Sequence, residues 1–289
     1  MTRIIQSLAD ISARYDALFC DLWGCLHNGK HPYEAAVAAL QTYRAQGGKV
    51  CLMTNAPRPN QYVIAQLDRM GVPRDAWDIV ISSGDAAQDA MFEGAVGRNV
   101  WHIGTEKDFG FFTDIPAEHA ASPAIKRVEP SQAEGIVASG PFDEVNETPA
   151  HYRDRFQPLV DRGVPMLCAN PDIVVDMGET RIYCAGALAE LYESMGGTTH
   201  YFGKPHAPIY DRARRLMGLD SGSRCLAVGD GIDTDVLGAM QQGIDSIFVT
   251  GGLAAAAFGP DVENPVEAQL HDWLMERDRS PTYAIGRLR

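Results

Sequence analysis

Five polar residues, Asp21, Thr54, Lys204, Asp230 and Asp235, each stand at or just beyond the end of a short apolar run. Ala17-Leu18-Phe19-Cys20 precedes Asp21, Lys49-Val50-Cys51-Leu52-Met53 precedes Thr54, and Arg224-Cys225-Leu226-Ala227-Val228 leads into Gly229-Asp230-Gly231-Ile232-Asp233-Thr234-Asp235. Apolar runs of this length read as strands buried on both faces of a parallel sheet, and such strands deliver the residues after them to the carboxyl edge, where open α/β folds hold their ligands. Carboxylates gathered there with too few positive side chains imply a hard cation. Mg2+ takes oxygen ligands of this kind and keeps several of its waters. Taken singly, Asp21 also reads as a turn or N-cap residue, and Asp233 to Asp235 as the first turn of a helix.

The elements that must position these groups are set by the periodicity. Residues 33–46 carry Ala36, Val37, Leu40 and Tyr43 at helical spacing and stop at Gly47-Gly48; Val63, Leu67 and Met70 repeat the pattern up to Gly71. With a third strand at Ile79 to Ser82, the order is strand, helix, strand, helix, strand, which predicts a doubly wound parallel sheet. From about residue 84 the rhythm changes. A smaller α/β insert is expected over 85–196, with strands at 99–103, 135–138 and 164–168 and helices near 149–162 and 185–195. The first rhythm is expected to return at Thr199 to Phe202, a strand ending in Gly203-Lys204-Pro205, so that residues 1–84 and 197–289 form one core.

Composition narrows the chemistry. Of the 289 residues, 45% are hydrophobic and 22% charged, as in ordinary globular chains, and the formal net charge of -13 opposes nucleic acid or an anionic membrane as partner. Cys20, Cys25, Cys51, Cys168, Cys184 and Cys225 lie mostly inside apolar runs without paired spacing, which predicts reduced core thiols in a cytoplasmic protein. No secretory leader and no membrane anchor is read near the N-terminus.

In their order and spacing the polar residues resemble the four motifs of the haloacid dehalogenase superfamily, at Asp21, at Thr54, at Lys204 and at Gly229-Asp230 through Thr234-Asp235. The insert between the second and third motifs resembles a class II cap. Thr54-Asn55, Asn170-Pro171-Asp172, Gly203-Lys204-Pro205 and Val249-Thr250-Gly251 resemble subclass IIA, which contains 4-nitrophenylphosphatase-like, nucleotidase and sugar-phosphate phosphatases. The resemblance implies a Rossmann-like α/β core with an inserted cap and hydrolysis of a small phosphorylated metabolite. It makes Asp21 the nucleophile that becomes an aspartyl phosphate, Thr54 a partner of a phosphoryl oxygen, and Lys204 the balancing charge. It places Mg2+ on Asp21, the backbone carbonyl of Trp23, Asp230 and, directly or through water, Asp235. Asn55, Arg58, Asn170 and Asp172 are its substrate-binding candidates, and self-association through the cap is compatible with it.

One position departs from the family pattern. Two residues after the nucleophile the family carries an aspartate as general acid and base, and here that residue is Trp23. Indole donates one N–H and accepts nothing useful, so it can neither protonate a leaving group nor activate water. Three readings stay open: slow hydrolysis of esters with good leaving groups or with a borrowed group such as His27, Asp172 or His206; carbon–halogen hydrolysis, since the superfamily's dehalogenases carry an aromatic residue here; or phosphoryl-ligand binding without turnover.

Overall fold

A computed structural model of the chain describes residues 2–177 and 180–289. The chain divides into two compact units, one of Met1–Thr54, Ile64–Ile81 and Lys204–Arg289, the other of Asn55–Val63 and Ser82–Gly203. The second unit is thus wider than the 85–196 insert expected from sequence, because residues 55–63, 82–84 and 197–203 belong to it as well.

The first sheet has seven strands in the order Arg3–Ile4, Tyr283–Ile285, Asp245–Val249, Cys225–Gly229, Ala17–Cys20, Lys49–Thr54, Ile79–Ser82. Its central pairs run parallel, Leu18 opposite Val50 on one side and Leu226 on the other. Setting aside the short first strand, the order is the 3-2-1-4-5-6 of a Rossmann sheet. The order reverses between Ala17–Cys20 and Cys225–Gly229, so the ligand crevice of such a sheet opens between Asp21 and Asp230. Alternation explains the layers: Ala17, Phe19, Cys51, Met53 and Cys225 face Ile209, Tyr210, Ala213 and Met217 of the helix Ala207–Met217. The helix Glu34–Ala45 buries Ala36, Val37, Leu40 and Tyr43, the four residues its spacing singles out.

The second unit has its own all-parallel sheet, in the order Thr199–Tyr201, Met166–Cys168, Gly135–Ala138, Asn99–Ile103, Lys126–Arg127. Ile136, Ala138, Met166 and Cys168 pack on one face with Phe156, Leu188 and Tyr192, while Val100, Val137 and Leu167 pack on the other with Met91 and Phe92. Val174–Met177 and Thr180–Tyr183 pair antiparallel as a separate two-stranded sheet. Here the sequence reading needs a correction. Thr199–Tyr201 pairs with Met166–Cys168 as the edge of this second sheet and is no part of the first, because Thr199, His200 and Tyr201 alternate as an edge strand does and lack the continuous apolar run of a central one. The terminal strands Arg3–Ile4 and Tyr283–Ile285 are too short to show a period, and the sequence does not announce them. All six cysteines are unpaired and buried. Among the described residues no helix is long and apolar enough to cross a membrane.

Candidate active site

At the crevice of the first sheet, Asp21 follows Ala17–Cys20 and its backbone N–H donates to the Val228 carbonyl at 2.8 Å, which ties the two central strand ends together. Lys204, buried, donates from Nζ to Asp21 Oδ1 at 2.6 Å and to Asp235 Oδ1 at 2.7 Å. Burial works against an ammonium, but the two carboxylates outweigh it and hold the Lys204 pKa well above its ordinary value. Lys204 is therefore a fixed positive charge. The other oxygen of Asp235 accepts from Gly231 N–H at 3.2 Å and Thr234 Oγ1 at 3.3 Å, so this residue anchors Lys204 and caps its own turn at Ile232–Val236.

Asp230 sits differently. Its Oδ2 accepts from Leu253 N–H at 2.9 Å, and a Cβ added at Gly24 or at Gly252 would come within 2.0 Å of that oxygen. Gly24 also has φ +71, a left-handed conformation that glycine adopts without strain. Two glycine turns thus close on one carboxylate. Burial, then the charges of Asp21 and Asp235, push the Asp230 pKa well above the carboxylate range. One oxygen each of Asp21 and Asp230 lies with the Cys25 thiol within 4.8 Å of one another. Three carboxylates share one ammonium here, and the chemistry of the donor set suits a divalent cation held by Asp21 and Asp230. Asp235, expected to join the metal directly or through water, has its Oδ1 engaged by Lys204. Burial and the two aspartates push the Cys25 thiol up, so it stays neutral.

Thr54 ends the adjacent strand Lys49–Thr54 and is buried at the same sheet edge. Trp23 is 48% exposed, its ring edge-on to His27 with centroids 5.3 Å apart. His27 itself is enclosed, with Nδ1 accepting from Gly29 N–H at 3.0 Å, and burial lowers its pKa to about 4. It is a buried residue of the loop that follows Asp21. His206 supplies the N-cap position of Ala207–Met217 without a side-chain cap.

The remaining candidates belong to the second unit. Asn55 Nδ2 donates to Asp172 Oδ1 at 2.8 Å, and Asn170 Oδ1 accepts from Asp172 N–H at 3.0 Å, an Asx turn that holds the Asn-Pro-Asp triplet. A Cβ at Gly203 would lie 2.5 Å from Asn55 Oδ1 and 2.6 Å from Pro171. Asn55, Asn170 and Asp172 are thereby brought together. Arg58 is half-buried and its carbonyl accepts from Ser82 Oγ at 2.6 Å. Cys25 is the buried free thiol the sequence leads one to expect, while sequence reasoning misses the Gly252-Leu253 turn. The run Thr250-Gly251-Gly252 at a strand end is the available signal for the latter.

Comparison with known proteins identifies the family of the chain. A family model described as haloacid dehalogenase-like hydrolase matches residues 18–114, and a second, HAD-hydrolase-like, matches residues 201–271. A solved hydrolase of the haloacid dehalogenase-like family from Brucella suis 1330 is 38% identical, covers 99% of this chain and 100% of its own, and superposes with a TM-score of 0.82. The chain is 24% identical to the 5'-nucleotidase YutF of Bacillus subtilis, over 90% of this chain and 98% of that one. It is 25% identical to the D-glycerol 3-phosphate phosphatase of Mycobacterium tuberculosis, over 86% and 67%.

Proposed function

The chain belongs to the haloacid dehalogenase-like hydrolases, and from that premise we propose that it is a Mg2+-dependent hydrolase of small phosphate monoesters that works through an aspartyl phosphate on Asp21. The observation that carries this reading is the Lys204 ammonium held between Asp21 and Asp235, with the buried Asp230 carboxylate closed in by two glycine turns beside Asp21. A carboxylate oriented by a buried ammonium is placed as a nucleophile, and a second carboxylate within reach of it supplies the oxygen that a divalent cation takes. Mg2+ held by Asp21 and Asp230 would neutralise the phosphoryl group and polarise it toward attack.

The chain's own residues then do the rest. An Asp21 oxygen forms a bond to phosphorus, the ester P–O bond breaks, and its electron pair leaves on the ester oxygen. Lys204 balances the charge of Asp21 and of the transferring group, and Thr54 supplies a hydroxyl at the same sheet edge. In the second step the water oxygen bonds to phosphorus, the Asp21 O–P bond breaks with its electron pair returning to the carboxylate, and the water's protons leave on the inorganic phosphate. The relatives named as phosphatase and nucleotidase support the substrate class, and Asn55, Arg58, Asn170 and Asp172 are the residues we assign to recognising the organic part. The reading is tested with a panel of aryl and alkyl phosphates, with and without Mg2+, beside a 2-haloacid. Mg2+-dependent phosphate release with no halide release supports it; halide release without Mg2+ overturns it in favour of carbon–halogen hydrolysis.

A further inference from the structure

Trp23 stands two residues after Asp21 and directly before Gly24, whose Cα abuts the Asp230 carboxylate. The segment that joins nucleophile to metal ligand therefore displays a half-exposed indole. Its mounting is built. Trp23 and His27 form a β-bridge, and His27 forms a second with Pro32. Gly24 N–H donates to the His27 carbonyl at 3.0 Å, and His27 Nδ1 takes the Gly29 N–H. Gly29 has φ +86, and a Cβ there would fall 2.3–2.4 Å from the indole Cη2 and Cζ3, so the benzo end of the ring lies over a position open only to glycine. A ring clamped at one end, edge-on to His27 and open elsewhere, costs exposed apolar area and is already ordered. Those are the properties of a stacking surface.

The indole itself offers one N–H and no useful acceptor, so the residue two places after Asp21 cannot protonate a leaving group. An ester oxygen that leaves as an anion stabilised by resonance into an attached ring needs no such proton, and a planar ring is also what an indole face binds.

We infer that Trp23 is a specificity-determining residue that stacks the leaving group, and that the substrates are phosphate monoesters of planar, conjugated hydroxyl compounds, aryl or heteroaryl, rather than of sugars or alkyl alcohols. This rests on the phosphatase reading above. Asp21 bonds to phosphorus, the P–O(aryl) bond breaks, and the aryloxide departs over the indole without a proton.

The test uses binding, which does not depend on turnover. With Mg2+ present, the affinities of inorganic phosphate, phenylphosphonate and propylphosphonate are measured by calorimetry for the wild type, Trp23→Phe and Trp23→Ser. The wild type should favour phenyl over propyl by about tenfold, Trp23→Phe should keep most of that preference, and Trp23→Ser should lose it while still binding phosphate. Because Trp23 is half-exposed, the variants should fold, and their melting curves check this. Equal affinity for phenyl and propyl in the wild type, or a preference undiminished in Trp23→Ser, overturns the stacking role alone. Failure of all three ligands to bind with Mg2+ present overturns the phosphatase reading and the inference with it.

Discussion

Asp230 holds the site's main conflict between stability and function. Its carboxyl pKa is raised in the fold by burial and by two like charges, so ionising it opposes folding. A raised carboxylate pKa means that the metal-free protein loses stability as pH rises from about 4, the unfolded value, through the folded one. At neutral pH without metal, Asp230→Asn should therefore melt higher than the wild type, by at least about 1 kcal/mol of stability. Adding Mg2+ should raise the melting temperature of the wild type and leave that of Asp230→Asn unmoved. Thermal denaturation with and without Mg2+ reads both signs. Trp23 makes the complementary case. Its side chain is half-exposed, so Trp23→Asp opens no large cavity and should fold. The new carboxylate should raise turnover of alkyl phosphates by about 10²-fold or more, since it restores a group able to protonate a poor leaving group. Steady-state rates on glycerol phosphate before and after the change decide it.

The elements that matter most are the turns closing on the sheet edge. Gly252 follows the strand Asp245–Val249, and its neighbour Leu253 pins Asp230 by a backbone N–H. In Gly252→Ala the new methyl must displace the Asp230 carboxylate, because it would otherwise sit 2.0 Å from Oδ2. Mg2+ affinity should fall by about 10–100-fold, the usual cost of disturbing a group that orients a ligand. Calorimetric titration with Mg2+ checks it. Such turns are only partly legible in sequence. The polar residues at strand ends are visible because long apolar runs announce their strands, as Ala17–Cys20 announces Asp21. Leu253 is not, since a leucine in a loop carries no pattern, and its role arises from folding a distant segment against Asp230.

At the scale of the whole molecule, one chain builds two parallel sheets, each with its own strand order and its own core. The first is readable because its strands are continuous apolar runs separated by periodic helices. The last strand of the second sheet reads from sequence as part of the first, because edge strands such as Thr199–Tyr201 lack that signature and chain order alone cannot say which sheet they join. The second unit also carries a buried polar cluster, in which His102 Nε2 and Ser139 Oγ are 3.0 Å apart and Ser139 Oγ donates to Asp108 Oδ2 at 2.9 Å. Burial, with a smaller contribution from Arg127, lowers the His102 pKa to about 4. A histidine depressed in the fold adds stability that is fully present above its unfolded pKa of about 6.5 and falls as pH drops toward 4. Between those values the wild type should lose about 2–3 kcal/mol that His102→Gln does not lose, a difference visible in urea unfolding at pH 7 and pH 4.5.

The central claim is that Asp21 attacks phosphorus and is then freed slowly, because Trp23 cannot activate the water needed for the second step. Rapid mixing of the Mg2+-loaded protein with excess 4-nitrophenyl phosphate measures this directly. The expected trace is a burst of nitrophenolate of about one equivalent per chain followed by a slower steady rate, abolished by removing Mg2+ and absent in Asp21→Asn. Nitrophenolate release by Asp21→Asn at the wild-type rate would contradict the claim.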